Sequence, residues 1–443
     1  MTDFRAHDSE GLRAAGVEYV RVSYPDLHGV CRSKDIPVEA FDAIRERGMS
    51  QTEAVMTIDL RHNIVSGFEH GFRDFEAVPD VGTLVRLPHD PTVAWCLADG
   101  RAEDGGPFGL DPRAALRRQV DALAEHGLHA VAGPELEFYL VHREGLRPYV
   151  EHPSSVYTCG PVADPRGAQR AIVDVARDLG LRPIAATQEY GRGQYEINLA
   201  HSAALDAADR AFRFKATAKD VAAGHGLLAT FLGQMRDDDE GSGFHLHVSL
   251  QDSNGANAFA EPAAADGLSS TARAFAAGIL AHLPGMTAFL NPTVNAYRRF
   301  IAESLAPTHV NWGLGTRLAT LRFPVERGQG TRVELRSADG TANPYLLTAA
   351  VLAAGREGIE LRLELGPPAP DNPYAAADGP GEPLPTSLRA ALDALRADER
   401  LWAAMGPELC ETFVAIKGYE LDRWDVELRK VTDWEREEYA HHL

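Results

Sequence analysis

Four segments of this chain alternate apolar and ionisable residues with a period of two, and their ionisable rows cannot be buried without a compensating partner. In Gly241-Ser-Gly-Phe-His-Leu-His-Val-Ser-Leu250, Phe244, Leu246, Val248 and Leu250 face one way while His245, His247 and Ser249 face the other. Successive side chains of a strand point to opposite faces, so the segment offers an apolar face to a core and imidazoles to something else. In Gly133-Pro-Glu-Leu-Glu-Phe-Tyr-Leu140, Glu135 and Glu137 oppose Leu136 and Phe138. In Thr331–Arg336, Arg332, Glu334 and Arg336 oppose Val333 and Leu335. Between Gln188 and Asn198, Glu189 ends one strand and Glu196 lies in the next, across a Gly191-Arg-Gly193 turn. Any one of these alone reads as a solvated strand face. Four antiparallel strands that each carry an apolar face belong to one sheet packed on helices, and their polar faces then converge.

Five carboxylates and an imidazole on one concave face repel one another by, on the order of, several kcal/mol unless neutralised. Oxygen-rich ligation with one nitrogen suits Mg²⁺ or Mn²⁺ rather than zinc. Arg299, Arg317, Arg322, Arg332 and Arg336 crowd the same part of the sequence. Their forked donors fit carboxylate and phosphate oxygens. Two divalent ions and a rim of arginines are what phosphoryl transfer from a nucleotide requires. No G-x-x-x-x-G-K-[ST] or G-x-G-x-x-G motif is present, so the nucleotide is held in another way.

The rest of the chain sets bounds. With 443 residues, 44% hydrophobic and 24% charged, it has the composition of a globular protein of two or three domains. A formal charge of −20 argues against nucleic acid as a partner. Cys31, Cys96, Cys159 and Cys410 are scattered and form no C-x-x-C pair, so neither zinc nor a disulfide framework is expected. The N-terminus lacks an apolar signal core and no run of about 18 apolar residues stands out, so a cytoplasmic protein without a membrane span is expected. A hairpin is expected over Gly11–Pro37, a helix over Val38–Arg47, and short strands over Asp80–Pro88 and Thr92–Leu97. A polar, Gly-rich boundary follows at Ala98–Pro107. Next come a helix opened by Asp111-Pro-Arg, a strand at Ala130–Val141, a helix near Asp164–Leu179 and a strand pair over Pro183–Leu199. The sequence then predicts helices at Ala204–Gly224 and Leu268–Leu290, two strands within Thr320–Arg336 and a helix at Pro344–Leu363. A Pro/Gly-rich loop over Pro367–Pro385 precedes a helical end.

The motifs Gly133-Pro-Glu-Leu-Glu-Phe, Gln194-Tyr-Glu-Ile-Asn, Gly241-Ser-Gly-Phe-His-Leu-His, Asn291-Pro-Thr-Val-Asn-Ala-Tyr-Arg-Arg299, Arg332-Val-Glu-Leu-Arg and Ala342-Asn-Pro-Tyr345 follow one another in family order. By them the chain resembles the glutamine synthetase family along essentially its whole length. The resemblance implies an α+β fold with a β-grasp N-terminal domain (1–104) and a catalytic ATP/metal domain (105–443) whose curved antiparallel sheet forms a funnel. It implies a homo-oligomer of stacked rings, typically a dodecamer, with active sites between subunits. It also implies ATP with two or three Mg²⁺ or Mn²⁺ ions. Glu137, Glu189 and Glu196 match the ligands of one metal, and Glu135, His245 and Glu334 those of the second. His247, Ser249 and Arg332 match nucleotide-contacting positions, and Arg317 and Arg322 match phosphate-side arginines with a catalytic role. Arg299, which is also counted with the catalytic arginines, and Arg336, with the backbone near Gly241 and Gly243, match the positions that hold glutamate.

Two departures bear on the second substrate. Glutamine-forming members carry a flap glutamate in a Glu-Ala-Pro sequence, where this chain reads Leu305-Ala-Pro307. Their Asp-Gly-Ser-Ser segment is missing from Gly48–Asp59. Loss of both anionic groups removes the ammonium site and leaves the glutamate, metal and ATP positions intact. The resemblance is therefore to the γ-glutamyl-amide branch, whose second substrate is a polyamine, ethanolamine or aromatic amine. The alternatives are ordinary glutamine synthesis with Glu303 swinging in as the substitute carboxylate, or a silent structural relative. Gly328-Gln329-Gly330 stands where a lysine often approaches the phosphates. Tyr374 stands roughly where some members are adenylylated, although a plain loop tyrosine fits its surroundings better.

Overall fold

A computed structural model describes residues 7–152, 156–301, 305–376 and 379–440; Glu303, the alternative carboxylate at the amine entrance, lies outside them. The chain starts with α1 (Ser9–Ala14), capped by the Asp8 carboxylate on the Gly11 N–H, so residues 11–14 belong to a short helix and not to the expected hairpin. The hairpin itself is β1 (Tyr19–Pro25) and β2 (Cys31–Pro37), in antiparallel register from Tyr19 opposite Pro37 to Pro25 opposite Cys31. One 3₁₀ turn over Val38–Ala40 leads into α2 (Phe41–Arg47), followed by β3 (Met49–Thr52), β4 (Asp74–Leu87) and β5 (Asp90–Arg101). These strands form one sheet of order β2-β1-β5-β4-β3, with β1 and β5 parallel. The polar boundary expected at 98–107 is strand as far as Arg101. Its backbone pairs with β4, Arg101 opposite Glu76 and Leu97 opposite Asp80, which satisfies groups that a loop would have left to water.

Central β5 is buried on both faces, as a strand without a solvated side must be. Ala94, Cys96 and Ala98 enter a small core with Val20, Val22 and Phe41, while Val93, Trp95 and Leu97 enter the main core. Arg113, almost fully buried, bridges the two halves with ion pairs to Asp80, Asp99 and Asp209.

Asp111 caps α3 (Pro112–Glu125) through the Arg113 N–H, with Pro112 in the first turn. Then come β6 (His129–His142), α4 (Ala168–Asp178), β7 (Pro183–Gln188), β8 (Gln194–Leu199), β9 (Ser202–Ala203), α5 (Ala204–Gly224), β10 (Leu227–Thr230) and β11 (Phe244–Gln251). After α6 (Ser270–Leu290) lie β12 (His309–Val310), β13 (Trp312–Leu314), β14 (Leu321–Phe323), β15 (Val333–Leu335) and α7 (Pro344–Leu361). The Pro/Gly-rich stretch expected to be loop contains β16 (Glu382–Pro383), which pairs with β12. Helices α8 (Leu388–Ala397), α9 (Glu399–Met405), α10 (Pro407–Leu428) and α11 (Asp433–Tyr439) complete the described chain.

The second sheet is nine-stranded, of order β13-β14-β15-β11-β6-β8-β7, with β9 and β10 also pairing with β6. It curls as a half-barrel; α3 and α5 pack beneath it, and α7 packs on those two helices. All four segments with the period-two pattern fall in or beside this sheet. Helix α6 departs from the expectation that no stretch could span a membrane: by length and a mean hydropathy of 1.2 it is apolar enough. Yet 78% of that window is buried against α7 and α8, so it is a core helix. A Cβ on Gly278 would lie 2.1 Å from the Ala354 carbonyl oxygen, so only glycine lets the α6 and α7 backbones touch.

Candidate active site

Register decides which ionisable groups meet. His245 lies opposite Glu135 across the β6–β11 pair, and His247 lies opposite Glu334 across β11–β15. Glu137 faces Glu196 across β6–β8, and Arg322 faces Glu334 across β14–β15. The sheet thus carries one continuous ionisable face while Phe244, Leu246 and Val248 are buried on the other. Glu189 sits just past the end of β7, placed by the turn at Gly191–Gly193. Gly193 has φ +73°, and a Cβ there would lie 2.8 Å from the Leu140 carbonyl oxygen, so the turn demands glycine.

The electrostatics split this face in two. Burial opposes charge on Glu135, but hydrogen bonds from His245 and His247 outweigh it and hold the carboxyl well below the usual carboxylate range. Burial likewise opposes charge on Glu334, yet Arg336, both histidines and Arg322 pull it down to about 2. Arg322 and Arg336 donate to its two oxygens at 2.7 and 2.6 Å. On the other side, burial and then the charge of Glu137 push Glu189 and Glu196 up to about 8. Two carboxyl groups that resist ionisation beside two that are firmly ionised form a cluster short of positive charge.

The donor set fits a hard divalent cation. Ligand atoms of Glu135, Glu196 and His245 lie within 4.8 Å of one another, and so do those of Glu135, His247 and Glu334. These triads cut across the grouping expected from sequence, because Glu135 stands between the two histidines. His245 Nδ1 lies 3.5 Å from one Glu135 oxygen, and its Nε2 lies 3.9 Å from Glu137. His247 Nε2 is 3.0 Å from the other Glu135 oxygen, while its Nδ1 accepts from Arg332 Nε at 3.2 Å. A guanidinium only donates, so the proton of a neutral His247 sits on Nε2 and is given to Glu135.

Two cavities meet at Glu135. The larger, about 920 Å³, is lined by Glu137, Glu189, Glu196, Arg299, Arg317 and Arg336, with Leu305 also in its wall. The smaller, about 240 Å³, is lined by His247, Ser249, Arg332, Gln329 and Gly330, with Ile184 and Leu199 as an apolar wall. Arg299 is buried between Asp339 and Asn291, at 3.5 Å from each. A Cβ on Gly241 would lie 2.5 Å from Arg299 Cγ, and one on Gly243 would lie 3.3 Å from its guanidinium. Both glycines therefore keep space open for that arginine. The Gly243 N–H also donates to Glu137 at 2.8 Å. Arg317 is exposed and makes no side-chain hydrogen bond among the described residues, while Arg322 is spent on Glu334 and the Gly315 carbonyl. Tyr374 is half-buried away from both cavities, its hydroxyl 3.3 Å from Thr308.

Sequence reasoning passed over several lining residues. Asn198, two positions after Glu196 and hydrogen-bonded to it at 3.0 Å, carried the same period-two signal. Tyr157, Tyr190, Ile301 and Ile184 lie in loops or at a strand edge, where no periodicity marks them.

The family description "Glutamine synthetase, catalytic domain" matches residues 109–439. The chain belongs to the glutamine synthetase family. It is an ATP-dependent ligase that forms a C–N bond, and enzymes of this family use ATP and divalent metals. It is 35% identical to a glutamine synthetase of Thermus thermophilus over 448 residues, covering 98% of both chains. It is 36% identical to a gamma-glutamylethanolamide synthetase of Streptomyces coelicolor over 444 residues, covering 96% of this chain and 93% of the relative. Among solved structures, "Apo GmaS without ligand" superposes with a TM-score of 0.86 at 33% identity, covering 99% of this chain and 100% of the other. "GmaS/ADP complex-Conformation 1" does so with 0.86 at 32%, covering 100% of each; GmaS is a gamma-glutamylmethylamide synthetase. Relatives named for glutamine and for organic amides are thus about equally similar to this glutamine synthetase family member, and overall identity does not choose between them.

Proposed function

We propose that this ligase phosphorylates the γ-carboxylate of glutamate with ATP and condenses it with an organic amine, giving a γ-glutamyl amide, ADP and phosphate. The observation that carries this reading is Leu305, half exposed in the wall of the substrate-side cavity where glutamine-forming members place a flap glutamate. A leucine neither binds ammonium nor accepts its proton, whereas it is compatible with the carbon body of an amine.

In this reading the smaller cavity takes the nucleotide, with His247, Ser249 and Arg332 toward its polar groups and Ile184 and Leu199 against the base. Arg299 and Arg336 hold glutamate, aided by the open backbone at Gly241 and Gly243. A γ-carboxylate oxygen attacks the terminal phosphorus, the bond to ADP breaks, and Arg317 faces the charge spread over the transferring group while Arg322 holds Glu334 in place. The amine lone pair then forms the C–N bond as phosphate leaves the acyl carbon. Glu135, Glu137, Glu189, Glu196, His245 and Glu334, with His247 nearby, would hold two or three Mg²⁺ or Mn²⁺ ions. Their chemistry is to neutralise the phosphate oxygens and the clustered carboxylates. The same reading takes 1–104 as a β-grasp-like unit and 105–443 as the catalytic unit, assembled as stacked rings of identical subunits.

Phosphate release with ATP, Mg²⁺ and glutamate, measured against ammonium, ethanolamine, polyamines and aromatic amines, tests the proposal. An organic amine is expected to exceed ammonium in kcat/KM by at least about tenfold. Ammonium matching the best organic amine would overturn it and favour ordinary glutamine synthesis.

A further inference from the structure

We infer that the amine partner is an aromatic primary amine, its nitrogen on the ring or one carbon away, and that Tyr157, Tyr190, Ile301 and Leu305 form the slot for the ring. This inference rests on the amide-ligase reading of the same site and narrows its substrate class.

Single exposed apolar side chains are ordinary, but several converging on one polar cavity mark a binding surface. Tyr157 is 65% exposed, Tyr190 50%, Ile301 58% and Leu305 47%, and all four line the cavity that holds Glu189 and Arg299. Each is tied to a part of the site already described. Tyr190 follows Glu189 directly, so the β7–β8 turn places both. The Ile301 N–H donates to the Arg299 carbonyl at 2.8 Å, which sets Ile301 beside the arginine assigned to glutamate. Tyr157 has φ +62°, a left-handed conformation that a bulky residue adopts only when its surroundings impose it. Its N–H donates to the Gln188 carbonyl at 2.9 Å, and the Thr158 hydroxyl donates to the Gln188 side chain at 3.0 Å. The backbone at Tyr157 is thereby tied to Gln188, the residue before Glu189, in the wall of the cavity that Tyr157 and Glu189 share.

Other amines fit this wall less well. Ammonium requires an anionic pocket, and Leu305 supplies none. A long polycation requires free carboxylates along the mouth, but Asp239 is paired with Arg192 and Arg236, and Asp238 with Arg192. Asp237 and Glu240 stand at the rim in solvent, where water and salt screen them. An aromatic body instead finds two tyrosine rings and two aliphatic side chains, a surface suited to edge and face contacts. The chemistry agrees. The lone pair of an aryl amine is free at neutral pH, and a benzylic amine presents one once its ammonium proton has passed to water; the neutral nitrogen then attacks the acyl carbon directly. The C–N bond forms, the C–O bond to phosphate breaks with its electron pair leaving on phosphate, and the surplus N–H proton passes to water. No carboxylate at position 305 is needed to take it.

The test uses the full chain with ATP, Mg²⁺ and glutamate against ammonium, methylamine, ethanolamine, putrescine, aniline and benzylamine. Aniline or benzylamine is expected to exceed the best non-aromatic amine in kcat/KM by about tenfold or more. In Tyr190→Ala and in Ile301→Glu, both at exposed positions, the aromatic-to-methylamine ratio is expected to fall about tenfold. The ratio within one preparation is unaffected by how much of it is folded. Methylamine, ethanolamine or putrescine preferred over both aromatic amines, or an unchanged ratio in both variants, would overturn the slot while leaving the amide-ligase reading intact. Ammonium matching every organic amine would instead overturn that reading itself.

Discussion

Leu305 and the carboxylates behind it make separable predictions. Leu305→Glu puts an anion at the cavity wall, so the ammonium-to-organic-amine ratio of kcat/KM is expected to rise at least about tenfold, read from phosphate release. Glu137→Ala and Glu334→Ala should both abolish turnover, but with different effects on stability. Removing Glu137 relieves its repulsion of Glu196 and Glu189, and Tm should hold or rise. Removing Glu334 strands Arg322 and Arg336, and the loss of a buried partner of this kind costs about 3–5 kcal/mol, so Tm should fall measurably. Equal thermal melts for the two variants would contradict this account of the cluster. At this scale the clustering of the carboxylates and histidines was legible in the sequence, because a strand fixes the direction of every second side chain. Tyr157 and Ile301 were not, because a loop residue's direction follows from contacts that no local pattern encodes.

At the scale of elements, the β11 strand works only with the backbone that precedes it. Gly241→Ala would set a Cβ 2.5 Å from Arg299 Cγ, forcing that arginine away from the substrate-side cavity. The glutamate KM is expected to rise about tenfold or more, while nucleotide affinity, measured by titration calorimetry, changes little. A matched loss of both would mean that the two cavities are not independently held. Element existence was largely readable: α5 spans Ala204–Gly224 as its pattern indicated, and α3 begins at its Asp-Pro signal. Pairing was not. That Glu135 falls between His245 and His247, and not with one of them alone, depends on registers between strands about 110 residues apart. The continuation of β5 into the Gly-rich stretch likewise depends on β4, not on its own composition.

For the molecule as a whole, the split electrostatics couple metal binding, pH and stability. Glu189 and Glu196 titrate near 8 when folded, above their unfolded value of 4.5. Their favourable contribution is therefore complete below about 4.5 and is lost as pH rises toward about 8. A divalent cation binds the ionised form, so it competes with protons throughout that window. The rise in Tm on adding saturating Mg²⁺ or Mn²⁺ should accordingly be larger at pH 8 than at pH 6, and a chelator should abolish it. A gain independent of pH would contradict the assignment of these two carboxylates to metal. The identity of the amine is read in a one-pot competition. The enzyme is given ATP, Mg²⁺, glutamate and equal concentrations of ammonium and an organic amine, and its products are counted by mass spectrometry. The γ-glutamyl amide is predicted to exceed glutamine by at least about tenfold. Glutamine as the main product would overturn the assignment of an organic amine to this site.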